Sequence, residues 1–250
     1  MRVLKLPLGA GVGWVAQSFR LFRQQPVGWI SICSLWMLAS LGLLVIPLLG
    51  SPLMVMLQPG FFAGFVLACR DQQNGETVSA RHLLAGFKAS GRLLIMIGAI
   101  TLLLEASALM LFDALGLFSG LRELDTKGLS RTQLIREMSD ALTAQSGLMF
   151  GLLATVLLIK GVLWHTAALI AYRPMPPSHA IRWSINALWL NFIPMVVFAL
   201  LMFGLMTLAM MPYFLGMLVF FPIYAISHYV SFAAVFDDGD EVAAPAVAGT

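Results

Sequence analysis

Six apolar stretches dominate the pattern of hydrophobic and polar positions along the chain: 29–49, 53–69, 93–117, 148–172, 188–211 and 213–236. A helix rises about 1.5 Å per residue and the hydrocarbon layer is about 30 Å thick, so about 20 residues are needed to cross. Five of the stretches meet that length. The second is shorter and carries Gln58-Pro59-Gly60 near its start, which predicts a tilted span or a first turn that is not helical. Gly50-Ser51-Pro52 separates the first two stretches, and Met211-Pro212 the last two. Breaks that tight predict antiparallel hairpins. The fold expected is an all-α integral membrane bundle of six transmembrane helices arranged as three hairpins.

Between the apolar stretches lie segments that mix apolar residues with cations at helical spacing. Trp14, Phe19 and Phe22 are set against Arg20 and Arg23. Leu83, Leu84 and Phe87 are set against Arg81, His82 and Lys88, with Arg92 closing that segment. Ile181, Ile185, Leu188 and Trp189 are set against His179, Arg182 and Asn186. Each reads as an amphipathic helix in the cytoplasmic interface, its apolar face down and its cations among headgroups. One such helix precedes each hairpin, so the chain divides into three similar units within a single membrane domain, 1–236. Two regions stand outside the bilayer. Residues 119–147 form the extracytoplasmic loop, where Ser130-x-x-Gln133 is a capping-box pattern. Residues 237–250 are acidic and then Ala/Pro-rich, which predicts a disordered cytoplasmic tail.

Charge fixes an expected orientation. Ten cations fall on one side if the spans alternate: Arg2, Lys5, Arg20, Arg23, Arg70, Arg81, Lys88, Arg92, Arg173 and Arg182. Four fall on the other: Arg122, Lys127, Arg131 and Arg136. By the positive-inside rule both termini are cytoplasmic. The amino-terminal run up to Ala16 holds Pro7, Gly9, Gly11 and Gly13, so it reads as retained and not as a cleaved signal.

Composition narrows the classes further. Hydrophobic residues make up 60% of the chain and charged residues 11%, against about 25% charged in a soluble domain. Mean hydropathy is +0.89 and the pI near 9.1. The net charge of +3 is spread among membrane-flanking loops, not gathered in one stripe. That excludes nucleic acid and points to the lipid bilayer, its anionic phospholipids in particular. Cys33 and Cys69 fall within apolar stretches and read as small buried hydrophobes. No metal or cofactor is expected, and the common hydrolase, metalloprotease and nucleotide-binding signatures are missing, so no enzyme is expected.

The amphipathic segments alternating with hairpins, the Leu67-Ala68-Cys69-Arg70-Asp71 ending and Pro222-Ile223-Tyr224 in the last stretch resemble a family of six-span proteobacterial inner-membrane proteins, mainly beta-proteobacterial. That resemblance implies an integral inner-membrane protein of unknown molecular function. It carries over no catalytic residue.

Within the spans, Glu105 and Lys160 form the sharpest constellation. Each lies about twelve residues from either end of its stretch, in neighbouring spans, so both belong near mid-membrane. A lone charge there costs about 2.5–3.5 kcal/mol on insertion scales, so pairing is expected. The pair reads either as a structural register device or as part of a polar pathway. His165 and His228 sit in the cytoplasmic halves of their spans and fit a proton relay or interhelical hydrogen bonds; Asn191 reads as an interhelical partner or pathway residue. Gly60-x-x-x-Gly64, Gly116-x-x-x-Gly120 and Gly147-x-x-x-Gly151 have the small-residue spacing of close helix packing. Two functions compete. One is a structural or accessory bundle that engages lipid headgroups, a membrane partner or a second copy of itself. The other is a small transporter or lipid-handling permease around Glu105 and Lys160.

Overall fold

The computed structural model describes residues 1–122 and 130–237. Among them the chain is helical apart from connections and one two-stranded pairing. The elements are β1 (Arg2–Val3), α1 (Ala10–Gln24), α2 (Pro26–Leu44), α3 (Gly50–Gln73), a 3-10 turn (Ala80–Leu84), α4 (Ala85–Ala114), α5 (Ser119–Arg122), α6 (Arg131–Ala144), α7 (Ser146–Leu163), α8 (Thr166–Tyr172), α9 (Pro177–Leu190), α10 (Phe192–Met210), α11 (Met217–Val235) and β2 (Phe236–Asp237). Six helical stretches are long and apolar enough to cross a membrane: Pro26–Leu44, Gly50–Gln73, Ala80–Ala114, Ser146–Tyr172, Phe192–Met210 and Met217–Val235. Large apolar side chains such as Leu38, Leu103, Phe150, Leu157, Leu200 and Phe203 are exposed along these helices. An apolar surface that extensive demands a hydrocarbon solvent.

Two compact units are present, residues 100–161 and the remainder. In the larger unit α1 packs on α10 and α11, α3 packs on α8, α11 and the 3-10 turn, and α9 packs on α8. Its core is rich in aromatic residues: Trp14, Phe22, Trp29, Phe61, Phe62, Phe65, Phe198, Phe220 and Phe232 are all buried. Edge-to-face pairs such as Trp14–Phe198 (5.8 Å) and Trp36–Phe62 (6.2 Å) set their arrangement.

The bounds of several stretches differ from those read along the chain, each for a local reason. The second is one continuous helix of 24 residues with Pro59 inside it. It runs on to Gln72 and Gln73 because both polar side chains find partners on neighbouring helices. Trp29 Nε1 donates to Gln72 Oε1 at 2.7 Å, Gln72 Nε2 donates to the Leu21 carbonyl at 2.9 Å, and the Tyr229 hydroxyl donates to Gln73 Oε1. The first ends at Leu44 and not at residue 49, because the chain turns there; Leu48 takes φ 63°. The last begins at Met217 and not at residue 213, since Tyr213 (φ 49°) and Phe214 (φ 65°) occupy the left-handed region that interrupts a helix. The fourth is broken between α7 and α8, and the backbone N–H of His165 freed there donates to Ser184 Oγ at 3.2 Å. The third continues upstream to Ala85 through a bend at Ser90.

The amphipathic segments are helical in part. The first is α1, whose Trp14 and Phe22 are buried against other helices while Phe19 is exposed. The second is the 3-10 turn plus the first turns of α4. His82, read from the sequence among the polar residues, is instead buried, with its Nε2 3.3 Å from Asp71 Oδ2 and Nδ1 near Ser79. The third is α9, which buries only small residues, Ala180, Ser184 and Ala187. Gly60 and Gly64 admit Phe87 and the His82 carbonyl, so that glycine pair serves packing inside the chain. The capping box at Ser130 and Gln133 is formed at the start of α6. Asp113, near the end of α4, pairs with Arg122 at 2.6 Å. Of the expected tail, 238–250 lies outside the described residues, as does 123–129 of the loop.

β1 pairs antiparallel with β2, Arg2 opposite Asp237 and Val3 opposite Phe236, and the Leu4 N–H donates to the Val235 carbonyl at 2.8 Å. The first residues of the chain are thereby tied to the end of the last apolar helix.

Candidate functional site

Within the smaller unit, Lys160 Nζ of α7 lies 2.7 Å from Glu105 Oε1 of α4. Both side chains are half-buried. Phe112 of α4 meets Gly151 of α7, which leaves no room for a larger residue there. One ion pair and one ring seated over a glycine thus link the same two helices. An ion pair of this length removes most of the cost that either charge would carry alone in hydrocarbon.

His165 and His228 belong to the larger unit. His165 is 1% exposed, neither of its ring nitrogens has a hydrogen-bond partner among the described residues, and its ring meets Phe236 edge-on at 5.3 Å. His228 stacks on Trp164 at 3.7 Å and lies 4.2 Å from Phe62, with Nε2 unpartnered among the described residues. Trp164 is held in turn by its Nε1, which donates to Ser231 Oγ at 2.9 Å. His228 also interacts electrostatically with His165 and hydrogen-bonds the Trp164 backbone, within an otherwise aromatic surrounding.

Asn191, at the junction of α9 and α10, hydrogen-bonds three backbone groups through its side chain. Its Oδ1 accepts from the Leu6 N–H at 2.9 Å. Its Nδ2 donates to the Leu4 carbonyl at 2.9 Å and to the Ala187 carbonyl at 3.2 Å. Asn191 therefore clamps the amino-terminal segment. These bonds bear on its reading as an interhelical partner, with the partners lying in the amino-terminal segment and in its own helix.

The six cations assigned to the interface are all exposed: Arg20 and Arg23 on α1, Arg81 in the 3-10 turn, Lys88 and Arg92 on α4, and Arg182 on α9. Arg81 pairs with Glu76 at 2.9 Å. The other five have no ion pair among the described residues. Cys33 and Cys69 are buried free thiols, as expected of small hydrophobes. Among the described residues no cluster of three His, Cys, Asp or Glu side chains is placed to hold a metal. A groove on α9 around Arg182 went unread in the sequence. Its lining residues recur at helical spacing, but spacing alone does not show a concavity.

No family model matches the chain, and no solved structure matches it. It is 28% identical over 211 residues to a Burkholderia thailandensis protein described as "Probable inner membrane protein", an alignment that covers 82% of this chain and 76% of that one. This similarity to a beta-proteobacterial inner-membrane protein agrees with the resemblance carried by the sequence. With six span-capable helices, it supports a multi-pass inner-membrane location for the chain.

Proposed function

We propose that this chain is a structural or accessory inner-membrane protein that engages anionic lipid headgroups, or a membrane partner, through its cation-bearing segments. In this reading the six spans pair as three antiparallel hairpins. Each is preceded by a segment at the cytoplasmic interface: α1, the 3-10 turn with the start of α4, and α9. Both termini are cytoplasmic, in keeping with ten cations against four and with the β1–β2 pairing of the two ends of the described chain. The observation that carries the reading is the set of five exposed cations, Arg20, Arg23, Lys88, Arg92 and Arg182, without an acidic partner among the described residues. A juxtamembrane cation near an anionic leaflet gains about 1 kcal/mol, so five together are a substantial bias toward anionic lipid. The test is the composition of lipid that copurifies in mild detergent. Enrichment of anionic phospholipid over the bulk membrane, halved or more by Gln substitution of Arg20, Arg23, Lys88 and Arg92, supports it. A copurified composition equal to the bulk membrane contradicts it.

A transporter or lipid-handling permease keeps one observation in its favour, the incompletely buried Glu105–Lys160 pair. Asn191 acts as a clamp on the amino-terminal segment, while His165 and His228 lie close enough to interact in the larger unit. Catalysis forms no part of the proposal.

A further inference from the structure

His179, Arg182, Trp183 and Asn186 line a groove of about 310 Å3 along α9, a volume at the lower end of the roughly 300–1,000 Å3 common to small-molecule sites. The four positions follow a spacing of three, one and three residues, which puts them on one stripe of the helix. Their side-chain polar groups make no hydrogen bond or ion pair among the described residues. No Asp or Glu occurs in the sequence between Asp140 and Asp237, and β1 is Arg2–Val3, so α9 and the elements packed on it, α8, α10 and β1, bring no acid of their own to Arg182. Where acids lie nearby in sequence, the arginines take them: Arg70 meets Asp71 at 3.2 Å and Arg122 meets Asp113 at 2.6 Å.

The rest of α9 holds this stripe in place. Ala180, Ser184 and Ala187 are buried on another face, small enough for close seating, and Ser184 takes the His165 N–H. Trp183 is half-buried and Trp189 is exposed, the arrangement of indoles at a headgroup layer. A planar guanidinium fork matches two phosphate oxygens. The imidazole and carboxamide beside it supply further donors, and the indole supplies an apolar wall.

We propose that this groove binds the phosphodiester headgroup of an anionic phospholipid. The proposal rests on the reading of α9 as an interfacial helix, and it assigns that reading a discrete site. A headgroup with neutral hydroxyls beyond its phosphate suits Asn186 and His179, whereas a choline would set a second cation near Arg182. The phosphate chemistry is shared with inorganic phosphate; the lipid is the committed ligand because α9 leads directly into the apolar helix α10.

Native mass spectrometry of the full chain in neutral detergent, titrated with dioleoyl phosphatidylglycerol or dioleoyl phosphatidylcholine, tests it. The expected result is at least tenfold tighter binding of phosphatidylglycerol. Paired H179Q/R182Q substitution should lower that preference at least fivefold, while paired R20Q/R23Q on α1 keeps most of it. Circular dichroism melting of H179Q/R182Q should match the unsubstituted protein, since these side chains bond to nothing among the described residues. Full phosphatidylglycerol preference in H179Q/R182Q, with loss in R20Q/R23Q, would overturn the groove and leave the lipid reading standing. No preference in the unsubstituted protein would overturn both. Displacement of phosphatidylglycerol by submillimolar sodium phosphate would make the groove a free-phosphate site and overturn the lipid.

Discussion

Asn191 shows how one side chain can fasten a terminus to a bundle. Three backbone groups depend on it, two of them in the segment that follows β1. Asn191→Ala leaves the Leu6 N–H and the Leu4 carbonyl without that partner. Each buried group left unsatisfied costs about 1–3 kcal/mol. The expected outcome is a lower melting temperature in detergent together with faster proteolysis ahead of Ala10; an unchanged digestion pattern would remove the clamp. Glu105 and Lys160 are open to a double-substitution cycle. Lys160→Ala strands the Glu105 charge, worth about 2.5–3.5 kcal/mol on insertion scales, and Glu105→Ala takes one partner from Lys160. The double variant should recover most of the loss in folded yield. If the losses simply add, the two charges are not coupled.

At the scale of elements, packing depends on positions where backbone approaches backbone. A Cβ on Gly98 of α4 would collide with the Met56 carbonyl of α3, while one on Gly42 of α2 meets nothing within 4 Å. Gly98→Ala should therefore destabilise by about 1–3 kcal/mol as an overpacked contact. Gly42→Ala should be neutral or stabilise by up to about 1 kcal/mol, through helix propensity. Thermal unfolding of the two variants side by side separates these outcomes; equal melting points would contradict the α3–α4 approach. The same scale shows what the sequence could convey. A run of twenty apolar residues has one economical explanation, so all six helices were legible. Their ends were not. Gln72 and Gln73 look like a helix terminus in sequence and belong to the helix because Trp29 and Tyr229 meet them. The break at His165 depends on a serine nineteen positions away.

For the whole molecule, the orientation expected from ten cations against four rests on sums over loops and not on any single contact, and stands as a prediction. The Glu105–Lys160 juxtaposition was legible, since antiparallel neighbours of equal depth follow from counting residues. The clamp role of Asn191 was not, because its partners Leu4 and Leu6 are remote in sequence. Nor were the burial of His82 and the α9 groove, because helical spacing alone does not show which polar positions are covered. The central claim, six spans with the cation-bearing segments and both termini on the cytoplasmic face, is tested most directly by cysteine labelling. In a Cys33→Ala/Cys69→Ala background, Leu8→Cys, Glu76→Cys, Ser130→Cys and Thr250→Cys are introduced one at a time and treated with a membrane-impermeant maleimide in spheroplasts. The account predicts that Ser130→Cys labels in intact spheroplasts, and that the other three label only after permeabilisation. Labelling of Leu8→Cys or Thr250→Cys in intact spheroplasts, or protection of Ser130→Cys there, would contradict it.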